Sequence, residues 1–474
     1  MARFGGGGLV AGLLLTATLP PVGWWFLGPV GVAVLFLVLD DPPGGWWWRL
    51  LAGIATGLGL YGPGLWWATE FHAVGWVALV LVESALLALA LMTVPRDRVA
   101  VALPAALVVA EAVRGAWPFG GLPLAGLDLG QVDGPLLPVA RLGGHLLMVA
   151  AVGVAGVGLA ELLRRRWAAG ATAAVATVAV VVGGGVAFDG RPQAAVAAAA
   201  VQGGGPRGVR AVDADPAVAY RAQIEATRDV PPGTALVLWP EDVVDLDRPL
   251  AGSPEEAEIG AVARALGVTL VAGVVEDVPG EGRFRNAAVA WGPDGSVVDR
   301  YEKVHRVPFG EYVPLRSLVE RVADVSNVPQ DAIPGRGPGV LDTPVGRLGV
   351  LVSYEVFFSA RARAAVSAGG TVLLVPTNAS SYTTAQVPAQ ELAAARLRAV
   401  ETGRWVLQAA PTGYSAVVDQ RGRVRAQGPL GDPAVVARPV QLRVGRTLAT
   451  TIGELPVMIL AGFVLVAAWV WKKT

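Results

Sequence analysis

Three short stretches carry most of the polar chemistry in an otherwise apolar chain. The first is L-V-L-W-P-E, in which Trp239 and Pro240 lead an apolar run into Glu241. The second is Y-E-K-V-H-R-V-P-F-G-E-Y-V-P, residues 301–314, holding Lys303, His305 and Glu311 between prolines that favour a fixed loop. The third is L-G-V-L-V-S-Y-E-V-F-F, residues 348–358, in which a strand-like run ends on Ser353, Tyr354 and Glu355. Singly, each has a plain reading: a solvated loop carboxylate, a charged surface hairpin, a serine at a strand end. Together they supply what nucleophilic acyl transfer requires: a carboxylate to receive a proton, a cation to stabilise an oxyanion, and an atom to carry the acyl group. Lys303 stands out because the other lysines are Lys472 and Lys473, at the far end of the chain.

The elements that must position these groups are short apolar runs alternating with helical stretches, which is an α/β pattern. Strands are expected near 194–201, 234–239, 269–275, 286–291, 347–352, 371–376, 405–410 and 415–418, and helices near 216–228, 254–266, 360–368 and 386–403. Ser253-Pro254-Glu255-Glu256 is a helix start, with a cap, a proline at the first position and early carboxylates. Residues 191–446 are therefore one α/β domain, with each reactive group at a strand end or in the loop beyond it.

The flanks differ. The chain has 474 residues, 53% hydrophobic and 16% charged, with a mean hydropathy of +0.52, which is too apolar for an ordinary soluble protein of this length. Within 1–190, apolar runs near 8–20, 27–39, 50–68, 74–94, 99–113, 139–162 and 170–188 read as seven membrane spans, and 448–471 within 447–474 reads as an eighth. Several fall short of the roughly 20 residues that a bilayer core asks for. Charge placement supports the count. With the N-terminus in the cytoplasm, Arg49, then Arg96 and Arg98, then Arg164, Arg165 and Arg166, and finally Lys472 and Lys473 all fall on the inner side. The outer loops hold Arg114 and Arg141. Trp24, Trp25, Trp46, Trp47, Trp48, Trp66 and Trp67 lie near span ends, where indoles favour the interface. The α/β domain then lies outside the cytoplasmic membrane and both termini inside.

In order and spelling, W-P-E at 239–241, the 301–314 stretch, S-Y-E at 353–355 and A-R-L-R-A-V-E-T-G-R at 395–404 resemble the nitrilase superfamily, an α-β-β-α sandwich with a Glu, Lys, Cys triad. With spans on both sides, the likeness is to its membrane-embedded branch, the apolipoprotein N-acyltransferases of bacteria. That resemblance implies transfer of an acyl chain from a phospholipid, through an acyl-enzyme, to the amino group of a lipoprotein's N-terminal diacylglyceryl-cysteine. It makes Glu241 the general base, Lys303 the oxyanion cation, Glu311 a supporting carboxylate, and Trp239, Tyr354, Glu355, Asn286 and Asn378 supporting or pocket residues. No cofactor is implied, and a monomer is expected.

The departure is at the nucleophile, where the family's cysteine is replaced by Ser353. A hydroxyl is a far weaker acid than a thiol, whose reference pKa is about 8.5, and an oxygen ester yields its acyl group to an amine more slowly. The preferred reading is a deliberate Cys-to-Ser change that leaves the chain inactive, since one substitution accounts for both the match elsewhere and the absence of cysteine. A naturally diverged member is the alternative. Two other functions stay open: a membrane-anchored amidase using water as acceptor, and a catalytically dead homologue that binds lipoproteins. Zero net charge and no basic aromatic patch argue against nucleic acid. The scattered His72, His145 and His305 suggest no metal site.

Overall fold

Continuously apolar stretches of this chain are helical, and alternating stretches form sheets. The computed structural model describes residues 2–40, 46–208, 215–321, 325–326 and 328–470, the side chains of Ala2 and Arg3 excepted. It divides into two units, Met1–Phe188 with Thr447–Thr474, and Asp189–Arg446.

The first unit is helical. Helices Ala2–Thr16, Leu27–Asp40, Trp47–Gly64, Ala73–Met92, Val99–Arg114, Ala140–Leu163, Trp167–Val186 and Leu455–Val470 occupy the eight apolar regions of the sequence. Among the described residues, three helical segments are long and apolar enough to cross a membrane: Ala73–Met92, Leu137–Leu163 and Trp167–Val186. Phe4–Thr16, Leu27–Asp40 and Leu455–Val470 are apolar but shorter. Small residues let helices approach closely: a Cβ on Gly12 would lie 2.1 Å from the Thr56 carbonyl oxygen, and one on Gly59 2.6 Å from that of Leu9.

Three expectations for this unit are corrected. The first helix starts at Ala2 and stops at Thr16, ahead of the Pro20-Pro21 turn. The tail is two helices, Leu448–Ile452 and Leu455–Val470, because Gly453 takes φ 69° and breaks the ladder. Arg114 is no loop residue: it ends helix Val99–Arg114 and is buried, its guanidinium meeting Glu83 at 2.9 Å, Glu111 at 3.0 Å and the Leu124 carbonyl at 2.6 Å. His145, within helix Ala140–Leu163, meets Glu454 at 2.5 Å. Lys472 and Lys473 lie outside the described residues.

The second unit is a pair of sheets. Its strands are β1 Arg191–Gln202, β2 Leu236–Leu238, β3 Val244–Leu246, β4 Thr269–Val278, β5 Arg283–Trp291, β6 Val297–Glu302, β7 Asp331–Ala332, β8 Val340–Thr343, β9 Gly346–Val350, β10 Leu373–Pro376, β11 Val406–Ala409, β12 Ala416–Val418, β13 Val424–Gln427 and β14 Ala434–Val444. One sheet has the order β14-β1-β2-β4-β5-β6, with β3 on β4 and β7 on β5; the other has β13-β12-β11-β10-β9-β8. The two-residue period of a strand decides what packs where. Ala198, Ala200, Leu236 and Leu238 face the second sheet, where Val350, Leu374 and Leu407 join them in one buried cluster. Ala199, Val201, Val237 and Trp239 face outward, where Tyr220 and Ile224 of helix Pro216–Thr227 and Ile259 and Ala263 of helix Pro254–Leu266 pack on them. Helices Ser359–Ser367 and Gln386–Thr402 pack on the second sheet. The result is helix, sheet, sheet, helix, as the resemblance implied. Ser253 caps its helix by accepting from the Glu256 amide at 3.1 Å.

Candidate active site

Every group singled out for chemistry leaves one of these strands. Glu241 lies three residues beyond the end of β2, where the 239–241 backbone lies flat on β4. Only glycine permits that contact, since a Cβ on Gly273 would sit 2.4 Å from Glu241 Cα. Lys303 is the first residue after β6, and its amide donates to the Asn286 carbonyl on neighbouring β5. Glu311 lies in the loop beyond it. Ser353 begins the 3-10 turn Ser353–Phe357 after β9, at φ 48°, a left-handed conformation in which a serine is strained.

The Lys303 ammonium bridges two carboxylates, donating to Glu241 Oε1 at 2.8 Å and to Glu311 Oε1 at 2.9 Å. Asn286 Nδ2 donates to the same two oxygens at 2.8 and 2.7 Å, and the Val307 amide donates to Glu311 Oε2 at 2.7 Å. Lys303 is 2% exposed. Burial alone would lower its pKa, but the charges and hydrogen bonds of Glu241 and Glu311 outweigh burial and hold it above the ordinary lysine value. The ammonium is thus a fixed cation.

Glu355 joins this half of the site to the serine turn. It is fully buried, and its Oε1 accepts from the Val304 and His305 amides at 3.0 Å each and from the Tyr301 hydroxyl at 2.8 Å. Its Oε2 accepts from the Val352 amide at 3.0 Å. One carboxylate therefore ties the residues just after Lys303 to the residue just before Ser353. Tyr354 packs beside His305, whose ring stacks on Phe358 at 3.6 Å between centroids, so these residues orient the loop.

Asn378 stands next to the site through Asp242, to which its Nδ2 donates at 3.2 Å. Trp239 is not brought to the site: strand alternation turns its side chain to the outer face of the first sheet, fully buried among Val237, Ile259 and Trp291. Two residues that the sequence did not flag sit at the nucleophile position. Thr377 Oγ1 lies 3.2 Å from Ser353 Oγ and donates to Glu391 Oε1 at 2.7 Å. Glu391, on helix Gln386–Thr402, also shares a hydrogen bond with Ser353 and feels the charges of Glu241 and Lys303. Burial pushes its carboxyl up to about 7. Asp242 is likewise held well above the usual carboxylate range, by burial and then by Asp245, Glu241 and Glu311.

A family model for carbon-nitrogen hydrolases matches residues 177–449, and one for the apolipoprotein N-acyltransferase N-terminal domain matches residues 11–158. An apolipoprotein N-acyltransferase of Mycolicibacterium smegmatis is 32% identical over 95% of this chain and 82% of its own length. The chain belongs to the apolipoprotein N-acyltransferase family. Apolipoprotein N-acyltransferases of Photobacterium profundum and Pseudomonas putida are 27% and 30% identical, covering 94% and 90% of this chain and 90% and 89% of their own. Among solved structures, a nitrilase-superfamily member from Saccharomyces cerevisiae aligns with 54% of this chain and 92% of its own, at a TM-score of 0.41 and 20% identity. As a member of the apolipoprotein N-acyltransferases, the chain is an acyltransferase within the nitrilase superfamily; residues 159–176 separate its two matched regions, and the second begins inside helix Trp167–Val186.

Proposed function

We propose that this chain moves an acyl chain from a membrane phospholipid to the α-amino group of the N-terminal diacylglyceryl-cysteine of a lipoprotein. The carrying observation is the buried ammonium of Lys303 held between Glu241 and Glu311, on a segment that the Glu355 carboxylate ties to the strained Ser353 turn. The reaction runs by ping-pong. The nucleophile at position 353 attacks the phospholipid ester, Lys303 stabilises the tetrahedral oxyanion, and lysophospholipid departs. The lipoprotein amine then attacks the acyl-enzyme and takes the chain as an amide. Glu241 serves as general base and Glu311 supports the ammonium. Glu355 and Asn286 hold the geometry, and Asn378 lines the pocket through Asp242.

The helical unit, with the tail, spans the bacterial cytoplasmic membrane eight times as a monomer. Residues 191–446 form the catalytic domain on the extracytoplasmic side, and both termini are cytoplasmic. With an oxygen at position 353 the chain is an impaired transferase. The test uses the full chain in vesicles with acyl-labelled phospholipid and a diacylated lipopeptide. Label on the peptide is expected, faster in Ser353→Cys, together with a mass increase on the new thiol when acceptor is withheld. Free fatty acid would support an amidase-like hydrolase instead, and binding without turnover a dead homologue. A folded, inactive Ser353→Cys chain refutes the acyl-enzyme.

A further inference from the structure

The oxygen at position 353 has a carboxylate of its own, apart from Glu241. We infer that Glu391, with Thr377 between, receives the proton of the Ser353 hydroxyl in this chain, in place of the Glu241 base that serves a thiol at that position, so that the weaker oxygen nucleophile still acylates. The inference rests on the acyl-enzyme reading above. Ser353, Thr377 and Glu391 are all buried, at 7%, 0% and 4% exposure, and they come from three separate elements: the turn after β9, the loop after β10, and helix Gln386–Thr402. Thr377 has one hydroxyl proton for two contacts, 2.7 Å to Glu391 Oε1 and 3.2 Å to Ser353 Oγ. The shorter, charge-assisted bond takes that proton. Ser353 is then left to donate, toward the Thr377 oxygen and the Glu391 carboxylate with which it shares a hydrogen bond.

Glu241 is differently engaged. Its Oε1 already receives Lys303 and Asn286, both strong donors, which draw its charge toward the cation. Among the described residues, no cation lies at hydrogen-bond distance from Glu391. Its carboxyl stands at about 7, raised first by burial and then by the Glu241 charge, and drawn back by hydrogen bonds from Thr377 and Ser353 and by the more distant Lys303 charge. A base of that strength is matched to neutral pH. Charged groups on helix Gln386–Thr402 and on the turn and helix packed against it are committed elsewhere: Glu355 to the Tyr301 hydroxyl and backbone amides, Arg361 to Tyr301 and Glu355, Arg396 to the Gly422 carbonyl, and Glu401 to Arg398 and Ser359.

The step balances. Ser353 Oγ bonds to the ester carbonyl carbon as its proton passes to Glu391. The tetrahedral oxyanion collapses, the carbon–oxygen bond to the lysophospholipid breaks, and that leaving oxygen takes the proton back from Glu391. The acceptor amine next forms the carbon–nitrogen bond, the bond to Oγ breaks, and Oγ regains a proton that the amine gives up.

The experiment incubates the full chain with vesicles of acyl-labelled phosphatidylethanolamine, without acceptor, and follows the mass of the peptide bearing Ser353 across pH. An adduct is expected whose rate rises through about pH 7 and then levels, because the base acts deprotonated. Glu391→Gln is expected to slow it by about 100-fold or more and to abolish the inflection, the usual size of a general-base effect. Thr377→Val is expected to slow the rate less and to keep the inflection. In the Ser353→Cys background, Glu391→Gln is expected to change acylation by less than about tenfold, which a merely structural role for Glu391 would not produce. A flat profile near pH 7 in the unaltered chain, or an unchanged rate in Glu391→Gln, overturns the inference. So does an unaltered chain that forms no adduct while Ser353→Cys does, an outcome that leaves the acyl-enzyme reading standing. If folded Ser353→Cys also fails, that reading falls, and this inference with it.

Discussion

Glu355→Gln isolates the device that holds the two halves of the site in register. The native carboxylate offers two oxygens to four buried donors, the amides of Val304, His305 and Val352 and the Tyr301 hydroxyl. A glutamine offers one oxygen. Placed at the Oε1 position, that oxygen keeps Tyr301, Val304 and His305, and its NH2 then faces the Val352 N–H, donor against donor. One unsatisfied buried amide costs about 1–3 kcal/mol, and three charge-assisted bonds reduced to neutral ones lose roughly 1 kcal/mol each. Arg361, 3.4 Å from Glu355, also loses its anionic partner. The expected loss is about 4–6 kcal/mol, a large part of the roughly 5–15 kcal/mol that holds a domain folded. Thermal unfolding of the full chain in detergent gives the global figure. Hydrogen exchange gives the local one: protection at Val352 should fall by about tenfold to a hundredfold, since 1.36 kcal/mol is one decade. Acylation at position 353 should fall with it. Unchanged unfolding and unchanged exchange at Val304, His305 and Val352 would refute the bracket.

Lys303→Met leaves Glu241 and Glu311 buried without their cation, so a loss of about 3–5 kcal/mol is expected, together with abolished acylation; thermal unfolding and adduct mass check the two. Glu391→Gln changes how stability depends on pH. The folded carboxyl stands at about 7 against an ordinary 4.5, so the folded state holds its proton more tightly. That stability is fully present below about 4.5, declines as pH rises, and is gone above about 7. Glu391→Gln should remove this slope, which amounts to roughly 3 kcal/mol. Melting temperatures of both proteins between pH 4 and 8 give the answer, and parallel curves would contradict it.

The eight strands that were legible are central or densely apolar, and those that were not have physical reasons to hide. β14 carries Arg438, Pro439, Gln441 and Arg443, which spell a loop. It is an edge strand paired only with β1, where a proline is tolerated, and it buries just Val436, Val440 and Leu442 on one face. β6 reads V-V-D-R-Y-E and commits little beyond Tyr301 to the core. At the site, Lys303 and Glu241 were legible because charge is scarce in this chain and each lies within three residues of a strand end. Trp239 misled because its neighbour in sequence lies on the other face of the sheet. Glu391 went unnoticed because a single glutamate in a helix ordinarily reads as solvated; its signal was the run of small and apolar residues after it, Leu392 to Ala395, which the structure buries with it.

Charge balance links the legible part of the site to the hidden part. Four carboxyls are grouped around Glu241: Asp242 feels the charges of Glu241 and Glu311, Glu391 feels that of Glu241, and Lys303 donates to Glu241 and Glu311. Burying a carboxylate without a cation is costly, so the group keeps its proton at a higher pH. The two of these carboxyls to which the ammonium does not donate, Asp242 and Glu391, are held above the usual range. Asp242 spends its hydrogen bond on Asn378, in the loop beside the site, whereas Glu391 spends its own on Thr377 and Ser353. On the proposed reading, a lone lysine held between two acids therefore does more than stabilise an oxyanion. By engaging two of the four, it leaves a third, at the nucleophile, free to carry a proton near neutral pH, which is the property an oxygen nucleophile needs and a thiol can do without.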